Sequence, residues 1–147
     1  MPPRAPAPPC GAAPRPARRG ALRSPPVKWL LVFVLGGAGA VARVAVSGLF
    51  PVRALPWGTL AVNGVGCLLI GVLWALFAER QLLSLEWRIA LVGGFLGGLT
   101  TFSAFGLETY ELIAEGAWPS ALAYVVTSVA LGLVAVGLGT ALGHQLS

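Results

Sequence analysis

Aspartate is missing from this chain, and its 147 residues hold only five glutamates, one histidine, one methionine and two cysteines. Cys10 and Cys67 are too far apart in sequence, and too few, to suggest a disulfide framework or a thiolate metal centre. Cys67 lies inside an apolar run, where a small packed side chain is its ordinary role. His144 stands next to the C-terminus, so no nucleophile, base and orienting group can be assembled and enzyme chemistry has no support. Charged residues make up only 10% of the chain against 56% hydrophobic, the composition of a small integral membrane protein. Long polar loops are lacking too, which leaves no segment to form a soluble domain or hold a nucleotide. The net charge of +5 does not point to nucleic acid, because Arg4, Arg15, Arg18, Arg19 and Arg23 crowd into the first 25 positions with Lys28 close behind. A lipid bilayer surface is the partner that such a basic end suits.

Two regions follow from this distribution. Residues 1–26 hold nine of the twelve prolines and few large apolar residues, which predicts a disordered or extended Pro/Ala/Arg-rich arm. The apolar run behind it begins only at Val27 and is long enough to span, so it reads as a retained helix and not as a cleaved signal. Met1 is the only methionine, so two readings of the arm stay open: a native extension, or a start placed upstream of a chain that begins near Val27. Residues 27–147 form the membrane domain. Its fold class is all-α, with spans expected at about 27–49, 57–78, 87–115 and 118–142. Residues 57–78, at ~1.5 Å per residue, give roughly 33 Å, one crossing of the hydrocarbon. Trp57, Trp87 and Trp118 mark boundaries, as interfacial aromatics do.

The third span is interrupted by Gly93–Phe105, GGFLGGLTTFSAF. Its glycines form overlapping small-xxx-small pairs, and one reading is close helix packing and nothing more. The other reading starts from Thr100, Thr101 and Ser103, which follow at once. Backbone groups at membrane depth must be paired or face a protein interior, so a broken helix there marks a functional site. The half-end carbonyls suit a cation and the half-end amides an anion. If the helix resumes after Thr101, Phe102 and Phe105 share a face.

Few polar residues remain inside the spans. Thr59 and Asn63 are four apart on the second, and Tyr124 and Ser128 repeat that spacing on the fourth. Each is open to a bland role, an interhelical bond or a back-bond to the carbonyl four residues earlier. Two helices each offering a donor stripe instead suit an anion path. Arg43 in the first span calls for an interior vestibule or an interface, where it would draw anions in by electrostatic steering. Glu108 lies one turn beyond Phe105, placed to be partly buried and a candidate for a protonated carboxyl, while Glu111 and Glu115 read as solvated rim residues.

GGAGAVAR at 36–43, WGTLAVNGVGCLLIG at 57–71 and GFLGGLTTFSAF at 94–105, in this order and with these span lengths, resemble the Fluc (CrcB-like) family of fluoride channels. The likeness covers the chain from Val27 onward. It implies a channel that exports fluoride down its electrochemical gradient across the inner (plasma) membrane and relieves toxicity, built as an antiparallel dual-topology dimer with two pores. By the same resemblance Asn63 is the pore donor, Phe102 and Phe105 form an aromatic box, and Thr59, Ser103, Tyr124, Ser128 and Glu108 fall on the polar track. Backbone carbonyls of Gly97 and Thr100 from two subunits would hold a structural sodium ion (Na+) on the two-fold axis. Ala104 stands where the family often has a hydroxyl, and the basic arm is no part of its pattern.

Two other classes remain in view. A small dual-topology multidrug or cation exporter has this size, but would carry an acid in its first span, where this chain has Arg43. A non-transporting membrane subunit fits if the polar stripes only pack. Lys28, Arg80 and Arg88 against Arg53 give the core little orientational bias, whereas the arm adds five arginines to one side. That bias is expected to make the full chain insert mainly with its N-terminus inside, so that it either pairs with an oppositely oriented paralogue or is natively made without the arm, in which case a homodimer is open to it.

Overall fold

The computed structural model describes residues 26–50, 55–80 and 83–146. The expected arm, except Pro26, lies outside the described residues, as do Cys10, Pro51 and Arg53. Among the described residues every regular element is helical: α1 (Pro26–Ser47), α2 (Trp57–Arg80), α3 (Leu85–Ile89), a π-helical stretch Ala90–Leu96, α4 (Gly97–Leu99), α5 (Phe102–Ala114) and α6 (Trp118–Leu146). Four segments are long and apolar enough to cross a membrane: Val27–Ser47, Trp57–Phe77, Leu85–Ala114 and Trp118–Leu146. This is a multi-pass membrane protein.

Boundaries follow local chemistry. Pro26 opens α1 at a position whose missing N–H no helix would use, so the helix starts one residue inside the expected arm while the apolar span starts at Val27 as expected. α5 ends in a Schellman turn: Gly116 adopts φ 77°, its N–H donates to Ile113 O at 3.0 Å, and Ala117 N–H donates to Leu112 O at 2.8 Å. Pro119 lies in the first turn of α6. The fourth span continues to Leu146, four residues past the expected end.

Small residues set the helix contacts. α2 and α6 meet backbone to backbone: a Cβ on Gly139 would run into Leu68 O, and one on Gly71 into Val136 O. α1 crosses the third span in the same way, since a Cβ on Gly39 would strike Phe95 O and one on Gly98 would strike Gly36 O. The packing reading of the glycine run therefore holds for Gly94, which faces Val32 and Gly36, and for Gly98. Gly93 and Gly97 are exposed instead. Val62, Leu96 and Leu99 form the buried centre, with Ala42, Val46 and Phe95 against it.

The Gly139 contact carries an expected outcome. Gly139→Val places branched carbons against main chain that cannot rotate away, and overpacking costs about 1–3 kcal/mol even where side chains can adjust. Thermal unfolding in detergent should show a loss at or above about 3 kcal/mol. Gly137→Ala, at a position with open space around a Cβ, should melt like the parent.

Candidate functional site

The third span is a composite. The seven residues Ala90–Leu96 are π-helical, a feature no side-chain pattern announced. α4 then closes with Thr100 N–H and Thr100 Oγ1 both donating to Leu96 O, each at 2.9 Å. Thr100 (φ −85°, ψ 157°) and Thr101 (φ −150°, ψ 112°) are extended, so the break falls where the hydroxyl run begins and the helix resumes at Phe102.

Asn63 satisfies the broken backbone. Its Oδ1 accepts the Thr101 N–H at 2.8 Å, replacing the carbonyl that a continuous helix would have offered, and its Nδ2 donates to Thr101 O at 3.1 Å, a second donor to the carbonyl that opens α5. The Thr101 hydroxyl accepts from Ala104 N–H at 3.1 Å and caps α5. Ser103 is exposed with its Oγ 3.3 Å from Thr101 Oγ1. Thr101 is the residue that sequence reasoning undervalued. Its signal was present, a threonine three positions ahead of an unpaired amide at a helix start.

Beyond the break the aromatic rings form a column. Phe102 and Phe105 have ring centroids 5.5 Å apart at 40°, and Phe105 and Tyr124 lie 5.3 Å apart at 50°. Tyr124 on α6 is fully buried and donates its hydroxyl to Glu108 Oε2 at 2.6 Å. Thr59 on α2, also buried, donates to Glu108 Oε1 at 2.7 Å. The carboxyl of α5 is thus clamped by hydroxyls from two other helices, one residue from each of the stripes on α2 and α6. Ser128 is half-buried one turn beyond Tyr124, and Glu111 and Glu115 are exposed. Arg43 is half-buried, with its Nε donating to Gly98 O at 3.2 Å.

A groove of about 370 Å³ opens on the α2 side of the break, lined by Asn63, Gly66, Cys67, Gly97, Thr100 and Phe102 among others. Phe102 is 82% exposed beside it. Gly66 makes room for the Thr100 methyl, which a Cβ there would overlap.

The family profile described as CrcB-like protein, Camphor Resistance (CrcB), matches residues 30–140, a stretch that takes in most of all four spans and every group just described. The chain belongs to the CrcB family. Relatives agree over nearly their whole length. A Geobacter sulfurreducens protein named fluoride-specific ion channel FluC is 44% identical over 120 residues, 80% of this chain and 97% of the relative. Proteins of the same name from Rhizobium leguminosarum bv. trifolii and Coxiella burnetii are each 45% identical, covering 82% and 80% of this chain and 99% and 98% of theirs.

In this CrcB chain the break, the ring column and the clamped carboxyl adjoin one another, in reach of the groove. The arrangement gathers uncharged donors and aromatic rings near the break, with backbone carbonyls at α4. Gly97 O is among these carbonyls: the Thr101 N–H it would accept in a continuous helix goes to Asn63.

Proposed function

We propose that this chain is a fluoride-selective channel of the cell's inner (plasma) membrane, letting fluoride leave down its electrochemical gradient and so relieving fluoride toxicity. The observation that carries this reading is the column of Phe102, Phe105 and Tyr124 that starts at the helix break and ends at hydroxyls. The relatives named as fluoride-specific channels support it. A channel of this family is not an enzyme.

Fluoride is small and holds its water tightly, so a dry path must replace that water with donors. The second Nδ2 hydrogen of Asn63, the hydroxyls of Thr59, Ser103, Tyr124 and Ser128, and the electropositive ring edges of Phe102 and Phe105 are of that kind. Fixed cations along the path would hold the ion too strongly to let it go. Thr59 and Tyr124 now donate to Glu108, so an ion reaching this level must share those hydroxyls with the carboxyl or displace it.

The conducting unit of this reading is an antiparallel dual-topology dimer of the 27–147 domain, either a homodimer or a pair with an oppositely oriented paralogue. Polar backbone at Gly97 and Thr100 beside an open groove is costly against lipid, and a second copy would cover it. The donor chemistry there fits a hard monovalent cation, since Gly97 O is released from helix bonding and Thr100 is extended. Carbonyls of Gly97 and Thr100 from both copies would hold sodium. Bound there, the ion would neutralise the carbonyl ends of two half-helices; Asn63 keeps those ends apart from the resumed helix.

Efflux from proteoliposomes tests the reading. Fluoride is expected to leave at least about 100-fold faster than chloride, a preference of roughly 3 kcal/mol, with no movement of ethidium. Ethidium transport in place of fluoride would establish the exporter instead, and no flux of any probe the non-transporting subunit.

A further inference from the structure

An arginine within a membrane span is costly unless a partner holds it. Arg43 lies one turn beyond Gly39, where α1 touches the backbone of Phe95, and it reaches one carbonyl further along the third span. Its Nε donates to Gly98 O at 3.2 Å. That oxygen has a particular status. In an unbroken helix it would accept from the amide of residue 102, but two extended residues intervene and Phe102 starts a new helix. Its neighbour Gly97 loses the Thr101 amide to Asn63 for the same reason. α4 therefore ends in carbonyls without their helix partners, which carry the partial negative charge of a helix C-terminus.

We propose that Arg43 is the fixed cation of this carbonyl end, and that it sets how tightly, and with what charge, a metal ion is held at the adjacent carbonyls of Gly97 and Thr100. This rests on the sodium reading given above. Two effects act in the same direction. The guanidinium occupies Gly98 O, which would otherwise be available as a further oxygen ligand. Its positive charge also repels any cation at the neighbouring residues. A divalent ion feels twice that repulsion, so Arg43 disfavours calcium more than sodium, although calcium also takes oxygen ligands. Arg43 is thus a positioning and selectivity residue of the break, beyond any steering of anions.

The test is thermal unfolding of the purified full chain in detergent, titrating sodium against N-methylglucamine at constant ionic strength, then calcium. The parent midpoint should rise with sodium. Arg43→Gln keeps a donor without the charge, and its half-effect sodium concentration should fall on the order of tenfold, as for unit charges within ~10 Å at an effective dielectric of 20. Arg43→Lys keeps the charge and should stay near the parent. In the parent, calcium should act only at concentrations at or above those of sodium, a measurement that stands even if Arg43→Gln does not fold. A half-effect concentration in Arg43→Gln within twofold of the parent overturns the proposal, and so does calcium acting on the parent below the sodium range. A parent whose midpoint ignores sodium removes the sodium reading itself, and the proposal with it.

Discussion

Asn63→Asp is expected to lower fluoride efflux by on the order of 100-fold or more, with the protein still folded. The substitution is nearly isosteric, so its effect comes from protons and charge. A carboxylate can still accept the Thr101 N–H that Asn63 Oδ1 takes at 2.8 Å. It cannot donate to Thr101 O, now 3.1 Å from Nδ2, and instead brings two oxygens together there. Thr101 O keeps the first helical bond of α5, so losing the Nδ2 donor costs about 0.5–1.5 kcal/mol. The new charge also stands beside the proposed path. At ~5 Å and an effective dielectric of 20, repulsion of a passing anion is roughly 3 kcal/mol, which alone is about 100-fold. A fluoride electrode reading efflux from proteoliposomes, with size-exclusion chromatography as the folding control, checks this. Efflux within threefold of the parent would show that Asn63 is a structural clip for Thr101 with no place in the path.

That double bond of Asn63 also shows how far the sequence carries. Spacing placed Thr59 and Asn63 on one face of the second span and the hydroxyl run in the middle of the third. A restart after Thr101 is only a condition in the sequence, and α5 does begin there. These are local properties: hydropathy sets span length, and a threonine that can cap a helix sets where one begins. What spacing could not give is which helices face each other. Nothing on α2 alone says that Asn63 will use both ends of its amide on Thr101. The convergence of Thr59 and Tyr124 on Glu108 joins positions 49 and 16 residues apart and exists only after packing. Arg43 reads as an anion-steering charge until its carbonyl partner is known. The π-helical stretch was invisible because an i to i+5 pattern is a property of backbone bonding that leaves no side-chain period of its own. Gly93, Gly94, Gly97 and Gly98 look alike in sequence, and only the crossing with α1 divides them into packed and open pairs.

Glu108 is where the remaining large effect is expected, and two substitutions separate its possible roles. Glu108→Ala leaves the hydroxyls of Tyr124, fully buried, and Thr59, 6% exposed, without their acceptor. Each orphaned group costs about 1–3 kcal/mol, so thermal stability should fall by roughly 3 kcal/mol. Flux should fall by at least about tenfold, because Tyr124 packs on Phe105 and a tyrosine free to turn unseats the ring column. Glu108→Gln has nearly the same shape and behaves differently. Its amide oxygen accepts the Thr59 hydroxyl and its NH₂ donates to the Tyr124 oxygen, so both partners stay engaged. The tyrosine O–H is then released as a donor that a passing anion can use. Stability within about 1 kcal/mol of the parent and flux within roughly threefold are expected. Unfolding midpoints and electrode-measured efflux, taken on both variants together, check the pair. If Glu108→Gln is stable yet as silent as Glu108→Ala, orienting two hydroxyls is not the function of this carboxyl, and its charge or its proton takes part in permeation.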